Sequence, residues 1–446
     1  MSPRPVRVLT GITTSGTPHL GNYVGAVRPA IAASRAPGAE SFYFLADLHS
    51  LIKAQDPART QRSTLEIAAT WLAAGLDPAR VWFYRQSDIP EIPELTWFLT
   101  CVAGKGILNR AHAYKAAVDK NRAEGEDDDA GVTAGLFMYP VLMAADILIF
   151  NADKVPVGRD QIQHIEMARD FGQRFNHVYG REYFTLPEVV IDEQVATLPG
   201  LDGRKMSKSY GNTIPLFART AELRKLIFSI VTDSRAPGEP KDTAGSPLFQ
   251  IYQAFAGPAE TAAFAQAFAE GIGWGDAKQR LFERVEAEIA PMRERYDALI
   301  ARPGDIEDVL RDGARRLRER YATPLLAELR HAVGLRDLSA PPAAPDALDE
   351  DAAAAAAAPP TFKQYREADG RFSFKLFDGD ALLLQGAAFE APREVGLLIA
   401  RLKRGDAPLA EAGGALRLDG AAVGSLAPGV ALETVAAALA RLAEAA

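Results

Sequence analysis

The sequence predicts an α/β protein whose first part is built on a parallel sheet. Three short apolar runs, at residues 6–9, 42–46 and 81–84, alternate with segments of helical periodicity. Strands that alternate with helices usually pair in parallel, with helices covering both faces of the sheet. Residues 221–334 have an almost entirely helical pattern, and residues 340–360 are rich in alanine, proline and acidic side chains. We therefore expect a helical region, a linker and a separate module to follow the sheet.

Composition places the chain among ordinary globular proteins. Of its 446 residues, 48% are hydrophobic and 24% are charged, and the formal net charge is −8, which argues against a protein that coats nucleic acid non-specifically. Cys101 is the single cysteine, so an internal disulfide and a cysteine-rich metal site are impossible, and we expect it to be buried. No secretion signal is recognised, and no apolar run approaches the ~20 residues of a membrane span. A cytoplasmic protein is expected.

The elements of the first part follow in order from the spacing of apolar residues. The first strand precedes a loop over residues 11–16, and a fourth strand is expected over residues 155–158. Helices are expected to start at Gly21, at Asp56-Pro57, after Pro93 and at Asp160. Ligands of such sheets lie beyond the carboxyl ends of the strands. A site is therefore expected just after Leu9, Ala46 and Tyr84.

The residues after the linker predict a small α+β module. Residues 362–386 alternate like two strands, with turns at Asp369-Gly370 and Asp378-Gly379, and a helix is expected from Glu394. The spacing leaves room for two related hairpin units within the module.

Residues 17–22, with the sequence TPHLGN, carry the first chemical signal. They lie between the first strand and the first helix, where unpaired N–H groups and the positive end of the helix dipole suit phosphate oxygens. Gly21 has no side chain, so a flat ring can lie against the backbone. His19 and Asn22 are three residues apart and can face the same side of the first turn. Taken alone, a polar loop with a surface histidine is an equally good interpretation.

Residues 203–209, with the sequence GRKMSKS, carry the second signal. Two flexible ammonium groups, Lys205 and Lys208, combine with small hydroxyls to form a clamp suited to a polyphosphate. By itself such a loop is usually a solvated surface. The two strings in one chain, in this order and far apart, are much more specific.

The two strings resemble the HIGH and KMSKS elements of class I aminoacyl-tRNA synthetases, with Asn22 in place of the last histidine of HIGH. Three further segments resemble the tryptophanyl-tRNA synthetase family: LMAADIL at 142–148, VPVGRDQIQH at 155–164 and VTDS at 231–234. The resemblance covers about residues 6–334. It implies a Rossmann-like catalytic domain over 1–220 and a helical anticodon-binding domain over 221–339, followed by the linker over 340–360 and an α+β tail over 361–446. The tail is not part of the usual bacterial enzyme.

The resemblance also implies an activity and its residues. The activity is ATP-dependent activation of L-tryptophan to tryptophanyl-adenylate and transfer to tRNA(Trp), with Mg²⁺ and a homodimer. The implied catalytic residues are His19, Asn22, Lys205 and Lys208. The implied ATP-binding residues are Thr13, Gly21, Gly158, Asp160, Met206, Ser207, Ser209 and Lys115, with Lys120 competing with Lys115 for the phosphate. The implied tryptophan-binding residues are Gly11, His49, Met143, Asp146 and Gln161. No metal site formed by the protein is expected.

Asp146 is the implied residue with the clearest physical role. A carboxylate among apolar helix residues is expensive to bury unless it has a partner or a ligand. The resemblance assigns it the indole N–H, for which a carboxylate is a strong acceptor. Phenylalanine would leave the carboxylate unpaired and would be rejected.

Several alternatives stay open from the sequence. A tyrosyl-tRNA synthetase shares the fold and both ATP elements, a small-molecule nucleotidyltransferase shares the phosphate loop, and a synthetase-like binding protein could have lost catalysis. Residues 90–103 are apolar enough for a subunit interface and equally for a core. A cluster of arginines suits either tRNA phosphates or a solvated helix of mixed charge; its members are Arg311, Arg315, Arg316, Arg318 and Arg320.

Overall fold

The chain folds into two compact units, Met1–Leu338 and Ser339–Ala446. The computed structural model describes residues 4–14, 16–53, 56–191, 197–336, 338–339, 360–367, 369–379, 381–404, 409–412 and 415–444. The boundary between the units lies after Leu338, and the predicted linker starts at residue 340. The linker itself, apart from Pro360, lies outside the described residues.

A five-stranded parallel sheet forms the centre of the first unit, as the apolar runs predict. Its strands are β1 (Val6–Ile12), β2 (Ala39–Leu45), β3 (Trp82–Arg85), β4 (Lys154–Val157) and β5 (Glu188–Ile191). They lie in the order β3-β2-β1-β4-β5. Because the strand order reverses between β1 and β4, the carboxyl end of β1 lies at the position where open α/β sheets bind ligands.

Helices follow β1 to β4 and begin close to the predicted positions. The first is a continuous run of α1 (Leu20–Asn22), a π-helical turn (Tyr23–Val27) and α2 (Arg28–Ala33). Those that follow are α3 (Asp47–Ser50), α4 (Pro57–Ala73), α5 (Glu91–Val102), α6 (Lys105–Leu108), α7 (His112–Glu124), α8 (Ala134–Leu148) and α9 (Ile162–Val178). Asp56 begins α4 as predicted, because its carboxylate accepts the N–H groups of Ala58 and Arg59 at 3.0 and 3.3 Å.

The predicted helical region packs against the sheet. It contains α10 (Thr220–Phe228), α11 (Pro247–Phe255), α12 (Pro258–Ala269), α13 (Trp274–Ile300), α14 (Pro303–Leu317), a π-helical turn (Arg318–Ala322) and α15 (Thr323–Ala332). One hydrophobic core joins Leu20 and Val24 to Leu281 on α13. A second joins Phe42 on β2 to Leu326 on α15. Since both cores contain residues from either side of position 220, the division into a catalytic and a helical domain stays a prediction.

The second unit is the predicted α+β module, and it contains an internal repeat. Three strands, β6 (Thr361–Arg366), β7 (Phe372–Asp378) and β8 (Ala381–Gly386), precede α16 (Pro392–Arg404). The same order then recurs in β9 (Leu409–Ala412), β10 (Ala415–Leu418), β11 (Ala421–Leu426) and α17 (Leu432–Glu444). The sheet order β6-β7-β8-β11-β10-β9 places the two copies symmetrically about β8 and β11. The expectation of two strands over residues 362–386 was wrong, because the turn at Asp378-Gly379 separates β7 from β8.

The position of Cys101 and the character of the helices bear on two further expectations. Cys101 is exposed near the end of α5, so the expectation of a buried cysteine was wrong. No helix within the described ranges has the length and apolar character needed to cross a membrane.

Candidate active site

Backbone hydrogen bonds join the two sequence signals, which lie far apart in the chain. The Leu20 N–H donates to the Ile214 carbonyl at 3.0 Å, and the Leu216 N–H donates to the Pro18 carbonyl at 3.0 Å. His19 and Pro215 thereby form an antiparallel bridge. We call residues 203–209 the lysine loop. The start of the first helix and the segment just after the lysine loop are therefore paired by backbone hydrogen bonds.

His19 and Asn22 form a reciprocal cap on the first helix. The Asn22 N–H donates to His19 Nδ1 at 3.3 Å, and the His19 N–H donates to Asn22 Oδ1 at 3.1 Å. Burial, with a smaller effect from the Lys208 charge, lowers the pKa of His19 to about 4. The ring is therefore neutral near pH 7. Because Nδ1 accepts a hydrogen bond, the proton lies on Nε2, which can donate to a ligand.

The buried side chain of Asn212 holds the lysine loop through hydrogen bonds. It is 3% exposed, its Oδ1 accepts the Ser207 N–H at 2.8 Å, and its Nδ2 donates to Asp202 Oδ1 at 2.7 Å and the Lys205 carbonyl at 3.2 Å. Gly200 is required here, because a Cβ at that position would lie 2.4 Å from the Asn212 side chain. The backbone of the loop is thus fixed, while the side chain of Lys205 is exposed.

Lys208 reaches from this loop to the loop after β1. A Cβ on Gly16 would lie 2.8 Å from Lys208 Nζ, and Gly16 has a φ of +66°. Burial and the nearby Arg59 charge lower the pKa of Lys208, whereas Glu66 raises it. An anionic ligand bound beside this partly desolvated ammonium group would therefore stabilise its charge.

A cavity of about 710 Å³ lies between the two loops and contains most of the predicted nucleotide residues. Its lining includes Thr13, His19, Gly21, Asn22, Lys205, Met206, Ser207 and Lys208. Met206 is buried at 4% exposure, so it forms the floor of the cavity. A Cβ on Gly21 would lie 3.1 Å from the His19 ring, so His19 leaves little room for a side chain there. That a flat ring of the nucleotide lies against Gly21 stays a prediction.

A second cavity, of about 660 Å³, adjoins the first at the carboxyl end of β1. Gly11, Thr13 and Gly16 line both cavities. The second cavity brings together all five predicted tryptophan-binding residues: Gly11, His49, Met143, Asp146 and Gln161. Two ligands bound in these cavities would meet over β1.

Asp146 lies fully buried in the wall of this second cavity. Gln86 Nε2 donates to its two oxygens, at 2.7 Å to Oδ1 and 3.0 Å to Oδ2. His49 Nε2 lies 2.9 Å from Oδ2. Burial raises the pKa of Asp146, and the contacts with His49 and Gln86 oppose that rise. An ionised carboxylate has about four acceptor positions, so Oδ1 retains the capacity to accept one more donor.

Three predicted ATP-binding residues, Lys115, Gly158 and Ser209, are not among the residues that line these two cavities. Lys115 is exposed on α7, Gly158 is exposed at the end of β4, and Ser209 is exposed on the lysine loop. The side chain of Asp160 lies outside the described residues. Lys120, the competitor of Lys115, pairs with Glu124 at 3.8 Å.

Sequence reasoning missed Gln86 and Tyr139. Gln86 directly follows β3, so the rule that sites lie at the carboxyl ends of strands could have identified it. Tyr139 lines the second cavity, and its hydroxyl lies 2.6 Å from His164 Nε2. No sequence signal pointed to Tyr139, because several faces of α8 are apolar.

The predicted arginine cluster is a mixed-charge surface. Arg311, Arg315, Arg316 and Arg318 form ion pairs with Glu307, Asp312, Asp312 and Glu91 respectively. Arg320 lies over the Trp82 ring, 5.7 Å from its centroid. These contacts favour the second of the two interpretations of the cluster.

The family model and the similar proteins indicate the same family, the class I tRNA synthetases. The family described as tRNA synthetases class I (W and Y) matches residues 1–289. A protein of Xanthomonas axonopodis pv. citri named Tryptophan--tRNA ligase is 77% identical over 405 residues, which cover 91% of this chain and 93% of the relative. A protein of the same name from Pseudomonas aeruginosa is 62% identical over 424 residues, covering 94% of this chain and 93% of the relative.

Solved structures match about three quarters of the chain. The tryptophanyl-tRNA synthetase of Campylobacter jejuni, complexed with ADP and tryptophan, is 40% identical with a TM-score of 0.68 and covers 74% of this chain and 100% of its own. The structure of the Mycoplasma pneumoniae enzyme is 27% identical with a TM-score of 0.59, covering 74% of this chain and 98% of its own. The Xanthomonas match, over 405 residues, is longer than the first unit and so continues into the second.

Proposed function

The chain belongs to the tryptophan–tRNA ligases of the class I tRNA synthetases, and we propose that its two adjoining cavities carry out the activation step with the residues described above. The buried Asp146 carboxylate, placed beside a cavity that contains His19 and Lys208, is the observation that supports this assignment. The alternatives of a tyrosyl enzyme, a nucleotidyltransferase and an inactive relative are not favoured, because the relatives reported above are tryptophan enzymes.

Activation joins the two cavities in one reaction. A carboxylate oxygen of tryptophan attacks the α-phosphorus of ATP, the bond from that phosphorus to the bridging oxygen breaks, and pyrophosphate leaves with the electron pair. The attacking carboxylate needs no base, so catalysis is positioning and stabilisation of charge. Because Gly11, Thr13 and Gly16 line both cavities, the attacking group and the phosphate would meet there.

The first cavity, which lies between the two loops, would stabilise the charge that develops on the phosphates. We assign His19 Nε2–H as a neutral donor to a phosphate oxygen, with Asn22 holding the ring in that tautomer. Lys205 and Lys208 would neutralise the charge that develops as pyrophosphate leaves. Thr13, Gly21, Met206 and Ser207 would shape the space for the nucleotide. Gly158, Asp160, Ser209 and Lys115 are kept as proposed ATP contacts on the resemblance alone.

The second cavity supplies selectivity for the amino acid. Oδ1 of Asp146 would accept the indole N–H, while Gln86 and His49 fix the direction of the carboxylate. Met143 would pack on the ring, and Gln161 would meet the α-amino group. An amino acid without a ring N–H would leave a buried acceptor unpaired, which discriminates strongly.

Mg²⁺ is proposed to accompany ATP. Within the ranges that the structure describes, no group of three or more carboxylate, imidazole or thiol side chains is placed to hold a metal ion. This arrangement suits Mg²⁺, which keeps several waters and is commonly bound through substrate phosphates. The ion would share the neutralisation of phosphate charge with Lys205 and Lys208.

We further propose that the enzyme transfers the activated tryptophan to tRNA(Trp), that it is a homodimer and that it works in the cytoplasm. A ribose hydroxyl of the tRNA attacks the carbonyl carbon of the adenylate, and AMP leaves. We propose that α5 contributes to the dimer interface, because Trp97 on this helix is 66% exposed. The cytoplasm is proposed because translation uses the charged tRNA there.

Two substitutions test the assignment of the cavities in ATP–pyrophosphate exchange. Asp146→Asn should raise the KM for tryptophan roughly 10- to 100-fold while leaving the KM for ATP nearly unchanged, since it weakens a hydrogen bond to a charged acceptor. Lys208→Ala should lower kcat roughly 100-fold with little effect on tryptophan binding.

Exposed residues provide the matched controls, Asp170→Asn on α9 and Lys225→Ala on α10, which should behave as wild type. If Asp146→Asn weakened ATP and tryptophan equally, the assignment of the second cavity would be incorrect. If Lys208→Ala chiefly weakened tryptophan binding, the lysine would have a different role. Exchange with tyrosine but not with tryptophan would contradict the amino-acid assignment altogether.

A further inference from the structure

The outward face of the second unit carries an unusual set of side chains. The inward face of its sheet is apolar, because Phe374 and Leu376 of β7 pack in a core with Leu398 of α16 and Val435 of α17. Alternate strand residues must point to the opposite face, away from the helices. The register pairs Lys363 with Lys375 and Tyr365 with Ser373 across β6 and β7. Lys363, Lys375 and Tyr365 therefore carry that outward face, while the Ser373 hydroxyl is fully buried and donates to the Gly386 carbonyl.

Two lysines directly opposite each other are unfavourable in a sheet. In this sheet each ammonium group lies over an aromatic ring of the same face. Lys363 Nζ is 4.7 Å from the centroid of Phe377, and Lys375 Nζ is 5.1 Å from the centroid of Tyr365. The rings reduce the repulsion but do not neutralise the charge. An anion bound between Lys363 and Lys375 would neutralise that charge.

The positive character continues across the sheet. Arg417 on β10 is exposed, and it lies on the outward face because its neighbours Leu416 and Leu418 both pack in the core. Gln385 on β8 pairs with Lys375 and donates a hydrogen bond to the Tyr365 hydroxyl. Asp378 lies on the inward side, where it pairs with Arg441 of α17. Among the described strand residues, no aspartate or glutamate lies at an outward position.

We propose that this outward face binds a single-stranded segment of RNA. Cations would contact the phosphates, and the Tyr365 and Phe377 rings would stack with bases, the combination used by sheet surfaces that bind unpaired nucleotides. A protein or membrane surface would supply anionic groups but no flat bases for the rings. The inference rests on the proposed function in one respect, since tRNA is the RNA that this enzyme must meet.

The test uses the full chain and a labelled oligouridylate of roughly 12 nucleotides, a length within the usual range of site sizes. Fluorescence anisotropy gives Kd at several salt concentrations. The double substitution Lys363→Glu with Lys375→Glu should weaken binding about tenfold or more. Loss of two phosphate contacts should also lower the slope of log Kd against log salt by about 1.4.

Two further variants separate the proposal from general effects of charge and folding. Lys363→Arg with Lys375→Arg keeps both charges and should bind as wild type. Lys403→Glu changes an exposed lysine on α16, on the helix side of the sheet, and should have no effect. ATP–pyrophosphate exchange involves no RNA and should be normal in all three variants. A loss of RNA binding can therefore be distinguished from a failure of the activation step.

Three results would overturn the proposal. One is a wild-type chain that does not bind the oligouridylate at low salt. Another is normal RNA binding by the double glutamate variant. The third is a loss in Lys403→Glu as large as that in the double variant, because binding would then follow total charge and not this face.

Discussion

At the scale of single residues, the partners of the Asp146 carboxylate decide how it can be used. Gln86 contacts both oxygens and His49 contacts one, so the orientation of the group is fixed before any ligand binds. A fixed acceptor loses little entropy when it binds a donor. Burial raises the pKa of Asp146 on balance, and the contacts with His49 and Gln86 oppose that rise.

Replacement of Gln86 by leucine should therefore weaken tryptophan binding and shift its pH dependence. Since the amide lowers the pKa of Asp146, its loss should raise that pKa further. The carboxylate would then be protonated at a higher pH, and kcat/KM for tryptophan should begin to fall at a higher pH than in wild type. We expect about a tenfold loss in kcat/KM near pH 6. A parallel pH profile with only a lower maximum would show that Gln86 has a packing role.

The titration of His19 gives a second prediction at this scale. A surface imidazole titrates near 6.5, whereas burial and Lys208 lower the pKa of His19 to about 4. Its ring signals in NMR spectra, assigned with His19→Gln, should therefore stay unchanged from pH 8 to pH 5. Between pH 6.5 and 4 the unfolded chain binds more protons at this residue than the folded chain, so stability should decrease as the pH falls. A titration midpoint near 6.5 would contradict the buried, neutral state.

The sequence predicted the residues that line the first cavity better than the residues that hold them in place. His19, Asn22, Lys205 and Lys208 belong to strings whose chemistry and resemblance identified them, and they line one cavity. Asn212, Gln86 and Tyr139 act through contacts with residues distant in the chain. Such contacts depend on tertiary packing, which the local pattern of a single sequence does not determine.

At the scale of elements, α14 packs on β3 with no room for a side chain at one position. A Cβ on Gly313 would lie 2.0 Å from the Phe83 carbonyl oxygen. Gly313→Ala should therefore force the helix from the strand and destabilise the first unit by about 1–3 kcal/mol, which thermal unfolding would measure. Gly304→Ala on the same helix meets nothing within 4 Å, and it should leave Tm unchanged or slightly higher. An equal loss of stability in both variants would contradict the close contact at Gly313 as the cause, because helix propensity alone favours alanine at both positions.

The pattern of apolar residues was sufficient for the strands and helices that are long or strongly periodic. It predicted β1 to β4 and the helices after them, because each is an apolar run or a clear helical repeat. It did not predict β5, which has only four residues, Glu188–Ile191, and no alternation. In the second unit the two turn signals were correct, but they separate three strands, because β7 and β8 are joined by only two residues.

At the scale of the whole molecule, the two units have separate hydrophobic cores. The core of the second unit consists of residues from its own strands and helices. A chain that ends at Leu338 should therefore keep ATP–pyrophosphate exchange within about twofold of wild type and keep its Tm. The Campylobacter jejuni structure, which corresponds to 74% of this chain, supports this expectation. Loss of exchange on truncation, with a normal Tm, would show that the second unit takes part in activation.

The pairing of Leu20 with Ile214 and of Leu216 with Pro18 has a consequence for biosynthesis. A ribosome makes the N-terminal strand of this bridge long before its partner. A nascent polypeptide that has emerged only as far as Gln161 already contains the side chains that would grip an indole, yet it lacks the two lysines and the backbone that closes over a triphosphate. The residues that line the second cavity are thus all translated before those that complete the first cavity.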